Sequence, residues 1–88
     1  MISNNTYDEK HLILLKKEYN RMLKRNKNAE EFFKIKSVAE CLRYLNLFNE
    51  ITIELSRLAF SIEYITGDEL DYDVKINGFE EVRNEGNK

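Results

Sequence analysis

Three sets of residues in this chain are of types that can do chemistry: one cysteine with one histidine, a run of acids and a run of bases. Cys41 and His11 are the only residues of their kinds among 88. That is too few for an internal disulfide or for a Cys/His zinc site of ordinary stoichiometry. Cys41 falls between Val38 and Leu45 on an apolar stripe, with no histidine near it in sequence. A nucleophilic thiolate wants an electropositive, partly open site, so the favoured role for Cys41 is packing as a small hydrophobe. His11, in the first turns of a predicted helix, reads as a surface or boundary residue.

The acidic run is Asp68-Glu69-Leu70-Asp71-Tyr72-Asp73. An EF-hand loop needs glycine at its sixth position and glutamate at its twelfth. Starting at Asp71 puts Ile76 and Val82 there; starting at Asp73 puts Gly78 and Asn84 there. Neither register works. The run is expected to be a solvated turn whose carboxylates, Asp68, Glu69, Asp71 and Asp73, are available to a basic partner. No glycine-rich phosphate loop, nucleophile elbow or carboxylate pair in a defined cleft is visible. The sequence therefore predicts a non-enzymatic protein with no catalytic residues, no metal site and no cofactor.

The basic run holds Lys16, Lys17, Arg21, Lys24, Arg25 and Lys27 against only Glu18. With Leu12 as heptad position a, Lys10, Lys17 and Lys24 fall on f, opposite the seam, and Arg21 lies beside them at c. A continuous positive face of this kind neutralises phosphates. Against that, the chain carries a net charge of −2, and neither helix-turn-helix spacing nor an aromatic base-stacking platform accompanies the lysines. A solvated helix face comes first, docking of an acidic protein surface second, nucleic acid third.

The net charge conceals a gradient. Residues 1–36 hold nine Lys/Arg against five Asp/Glu, residues 37–66 two against four, and residues 67–88 three against seven. A basic front and an acidic tail mean either two external partners or two ends that meet each other. The second needs no outside molecule and is preferred.

These residues need elements to position them. Prolines are absent, and the three glycines stand at 67, 78 and 86, so the first 66 residues lack both strong chain breakers. Thr6-Tyr7-Asp8-Glu9 forms a capping box, after which Leu12, Leu15, Tyr19 and Met22 keep 3-4 spacing. The polar Arg25-Asn26-Lys27-Asn28 predicts a turn at 26–28, because asparagine tolerates helix ends. The elements are then a helix over about 6–26 and a second over 29–66, stopped by Gly67. Ser37-Val38-Ala39-Glu40 is a rival capping box, where the heptad phase also slips. If the first helix instead ran through, Asn26 would sit on the seam.

The second helix is apolar around most of its circumference, which predicts cover on more than one side. The expected architecture is mainly α: an antiparallel helical hairpin forming a four-helix-bundle homodimer. Its interface would be Leu42, Leu45, Phe48, Ile51, Leu55, Leu58 and Ile62. Beyond Gly67 the period changes to 2 over Leu70, Tyr72, Val74 and Ile76, followed by Asn77-Gly78, a strong β-hairpin signal. Pairing Ile76 with Phe79 and Lys75 with Glu80 is sensible; Val74 with Glu81 is poor. The tail 67–88 is expected to be a short β-hairpin or disordered, fraying from Asn84 to Lys88.

No secretory signal is visible in Met1–Thr6. The least polar stretch, Asn46 to Ile65, carries Glu50, Glu54, Arg57 and Glu63, too many charges for a bilayer span. A cytoplasmic location is expected, with no membrane partner. The wealth of Asn, Lys and Ile is typical of AT-rich coding sequences, as in low-GC bacteria and their phages. The expected function is a small protein–protein interaction module, an adaptor, inhibitor or regulatory subunit. It would bind itself and a further protein; the alternative is a nucleic-acid-associated dimer using the basic face.

Overall fold

The computed structural model describes the backbone of residues 5–83 and the side chains of residues 9–82. The expected fraying of Asn84 to Lys88 and the side chain of the Thr6 cap lie outside these. The chain is mainly helical: α1 (Asn5–Ile35), α2 (Val38–Arg43), α3 (Leu45–Thr66), α4 (Tyr72–Asn77) and α5 (Glu80–Arg83). At about 1.5 Å per residue, α1 spans roughly 47 Å, nearly the long dimension of a molecule measuring 52 × 28 × 20 Å. The main packing is of α1 against α3, with the tail segment closing on α1.

The first helix does not turn at residues 26–28; it runs on to Ile35. Its 3-4 stripe continues in phase through Asn26, Ala29 and Phe33, and the asparagine penalty of a few tenths of a kcal/mol each is small beside that packing. The rival boundary at Ser37 is the real one. Ser37 takes an extended conformation and its Oγ accepts from the Glu40 N–H at 3.2 Å, capping α2. A break at Tyr44 then separates α2 from α3. α3 ends where glycine permits it: Gly67 is left-handed at φ 79°, with its N–H bonded to the Glu63 carbonyl at 2.8 Å.

The tail is not a β-hairpin, and among the described residues there is no strand. Of the alternating positions 70, 72, 74 and 76, the last three fall in α4, where Tyr72 and Ile76 are i,i+4 neighbours on one side and Val74 faces another, with Leu70 just ahead of the helix. Leu70 and Val74 pack on the core, whereas Tyr72 is 80% exposed and Ile76 also faces outward. Gly78, at φ 89°, ends α4 instead of making a hairpin turn. It releases Phe79 and Val82 into the core, where they are buried with Tyr19, Met22, Leu23, Ile51, Leu58 and Ile62.

Polar side chains of the two long helices hold that tail by its backbone. Asn20 clamps Phe79 from both sides: the Phe79 N–H donates to Asn20 Oδ1 at 2.7 Å, and Asn20 Nδ2 donates to the Phe79 carbonyl at 3.0 Å. Tyr19 donates its hydroxyl to the Lys75 carbonyl at 3.0 Å, and the Leu70 N–H donates to Glu63 Oε2 at 2.9 Å. Burial pushes the Tyr19 phenol above its usual range, and the charge of Glu63 adds to the shift. A Cβ at Gly78 would collide with the Asn20 amide, so glycine is needed there for space as well as for φ.

Candidate interaction surfaces

The predicted interface residues separate into three situations. Ile51, Leu58 and Ile62 are buried within the chain itself, under α1 and the tail. Phe48 and Leu55 are half-buried, and Leu42 and Leu45 are exposed beside the turn. One continuous seam from Leu42 to Ile62 is therefore not on offer to a partner.

A different apolar face of α3 is. Nine residues at about 100° each place Phe60 opposite Ile51, and Ile53 opposite Ile62. Ile53, Phe60 and Tyr64 accordingly point away from the core, exposed by 59%, 69% and 81%. Arg57 lies between them with an amino group 3.8 Å from Glu54. The signal was present in the spacing, as positions 53, 60 and 64 form an i, i+7, i+11 stripe. It is masked by the stronger 3-4 pattern that the core uses.

Lys10, Lys17, Arg21 and Lys24 are all exposed on the side of α1 away from its buried residues. They are not equivalent. Arg21 donates through Nε at 3.0 Å and through Nη2 to the two carboxylate oxygens of Glu18. That forked bond holds the Glu18 carboxyl below the usual range, with Arg25 adding a smaller pull. Lys16, also in the basic run, turns the other way. Its Nζ lies 2.6 Å from Glu81 Oε2 and 5.2 Å from the Phe79 ring centre, so basic front and acidic tail meet there. The carboxylates of Asp68, Glu69, Asp71 and Asp73 are exposed around the start of α4; Asp73 accepts from Asn77 Nδ2 at 2.8 Å. Among the described residues, no three His, Cys, Asp or Glu side chains converge as metal ligands.

Cys41 is half-buried, with its Sγ 3.6 Å from the Phe33 carbonyl oxygen and 3.8 Å from that of Lys36. The thiol thus faces the open carbonyls at the end of α1. His11 is exposed on α1.

Sequence reasoning missed a groove between α1 and α3 beside the turn, with a volume of about 430 Å³. Aromatic rings wall it in a chain of edge-to-face contacts: Phe48 to Phe33 at 4.9 Å, Phe33 to Phe32 at 5.9 Å, and Phe32 to Tyr44 at 5.1 Å. Arg25 and Asn28 lie on its α1 side. The residues come from both sides of a turn whose position the sequence left open, so their spacing alone does not reveal the groove.

Among the described residues, no helix is long and apolar enough to cross a membrane. No family model, curated protein or solved structure matches this chain.

Proposed function

We propose that this protein is a small non-enzymatic interaction module, acting as an adaptor, inhibitor or regulatory subunit, and that it works as a homodimer. The observation that carries the reading is the outward face of α3, where Ile53, Phe60 and Tyr64 stand in water although the same helix already buries its opposite side. Apolar burial is worth about 25 cal/mol per Å², and a contiguous uncovered stripe marks a contact surface. A second copy suits it in spacing. Antiparallel pairing of α3 about the middle of this stripe sets Ile53 of each protomer against the partner's Tyr64, and Phe60 against the partner's Arg57. Within such a dimer, the carboxylates at Asp68, Glu69, Asp71 and Asp73 and the exposed Leu42 and Leu45 are left for a further protein.

Light scattering at about 100 µM tests the reading. A dimer that Phe60→Glu and Tyr64→Glu convert into a folded monomer is expected; a wild-type monomer at that concentration overturns it.

The exposed Lys10, Lys17 and Lys24 favour a second reading, association with nucleic acid through α1. Duplex DNA binding that falls steeply with log salt and collapses in Lys17→Glu/Lys24→Glu is its expected signature. Absence of binding at low salt removes it.

A further inference from the structure

We propose that the aromatic groove beside the turn binds a small anionic amphiphile: an apolar chain ending in a single carboxylate. Its volume of about 430 Å³ lies at the small end of the range for small-molecule sites, roughly 300–1,000 Å³. The walls are preformed, because the edge-to-face chain from Phe48 through Phe33 and Phe32 to Tyr44 fixes each ring against the next. Apolar matter is what such walls receive.

The sign of the head group follows from the rim. Among the described residues, Arg25 is the one charged residue lining the groove, and no acid lines it. Its closest described polar contact is a 4.0 Å approach of Nη1 to the Met22 sulfur. Glu18, whose carboxyl feels the Arg25 charge, is already forked by Arg21. A guanidinium carries five N–H donors, so Arg25 keeps donors for an incoming carboxylate. Asn28, one turn further along α1, adds an amide beside it. Lys36, whose Nζ lies 5.8 Å from the Phe32 ring centre, adds a second positive charge near the same rings. A peptide strand is a poorer occupant, since the walls are helix side chains and present no sheet edge to extend. The site lies apart from the outward face of α3 and does not depend on dimer formation.

The test uses three ligands with the same eight-carbon chain: octanoate, octanol and octyltrimethylammonium, each below its micelle or solubility limit. They are titrated into the full chain and followed by amide and side-chain NMR shifts. Octanoate is expected to move the Arg25 Nε–H, the Asn28 side-chain amide and Ala29, and to bind about fivefold tighter than octanol. The cation is expected to bind weakest. Arg25→Gln, a surface change that leaves the fold intact, should abolish the order among the three. As a control that fills the groove instead of changing its charge, Ala29→Leu should weaken all three together. Equal binding of the three heads, an order unchanged in Arg25→Gln, shifts centred on Phe60 and Tyr64, or no binding at millimolar ligand would each overturn the proposal.

Discussion

The α1–α3 pair is finished differently at its two regions of aromatic packing. Around Tyr19 the tail supplies a third layer: Phe79 meets the Tyr19 ring edge-on at 5.6 Å, and both are buried. Beside the turn, Phe32, Phe33 and Phe48 are only half-buried, Tyr44 is exposed, and a groove stays open between them. The residue types are the same. What differs is connectivity: chain continues past α3 and can fold back over Tyr19, whereas residues 36–44 between α1 and α3 are taken up by the short α2 and its caps, and α2 buries none of its own residues. Closure follows from where spare chain lies, not from how apolar a region is.

The sharpest way to break that comparison is to remove one ring from each region. Phe79→Ala should cost about 3–5 kcal/mol, the ordinary range for a buried phenylalanine, which is most of the stability of a domain this size. Phe48→Ala, half-exposed at the groove, should cost well under that. Urea unfolding followed by circular dichroism measures both, and equal losses would show that the tail closes nothing.

Next in size is Gly78→Ala. The positive φ and the collision with Asn20 together predict a loss of about 1–3 kcal/mol. In an Asn20→Ala background, itself destabilised by the lost bonds to Phe79, the same substitution should cost less, since the steric share disappears with the asparagine. A strictly additive double mutant would mean that the two residues do not touch.

A gain is expected at Asn26. The helix running through residues 26–28 carries this side chain onto the packed side of α1, where its Oδ1 is buried with no hydrogen-bond partner. Asn26→Leu should stabilise the fold by about 1 kcal/mol, visible as a higher urea midpoint. No gain would mean the amide is satisfied.

The smallest effect concerns pH. The bond from Lys16 holds the Glu81 carboxyl below its usual range. A depressed folded value means stability that is present above the unfolded pKa, about 4.3, and lost as pH falls through the folded one. Glu81 is 56% exposed, so solvent screening limits the loss to under about 1 kcal/mol. Acid titration of stability should be slightly flatter in Glu81→Gln, and an identical slope would leave the ion pair without weight.

Much of this was legible before any coordinates. The helical class follows from the missing prolines and late glycines, the end of α3 from Gly67, and a boundary at Ser37 from its capping box. The assignment of 26–28 as a turn failed because local asparagine preference was weighed above a stripe that stays in phase to Phe33. The tail failed for a related reason. Asn77-Gly78 is a genuine turn signal, yet a period of 2 over four residues is compatible with a helix, and the poor Val74–Glu81 pairing already spoke against strands. The groove was not legible at all, because its walls come from two helices whose pairing depends on which turn is used.

The sequence by itself determined that the chain is helical, where α3 must stop, and which side chains are apolar enough to need cover. Only the tertiary structure decided which of them receive it. Phe79 and Val82 complete the core because Gly78 lets the backbone approach Asn20 and because Asn20 satisfies both polar groups of Phe79. Phe60 and Tyr64 remain outside, since one helix can turn only one side to α1 and the tail. Periodicity records that a face is apolar, but the element that covers it is settled by distance in space and by side-chain hydrogen bonds to the backbone across more than fifty residues.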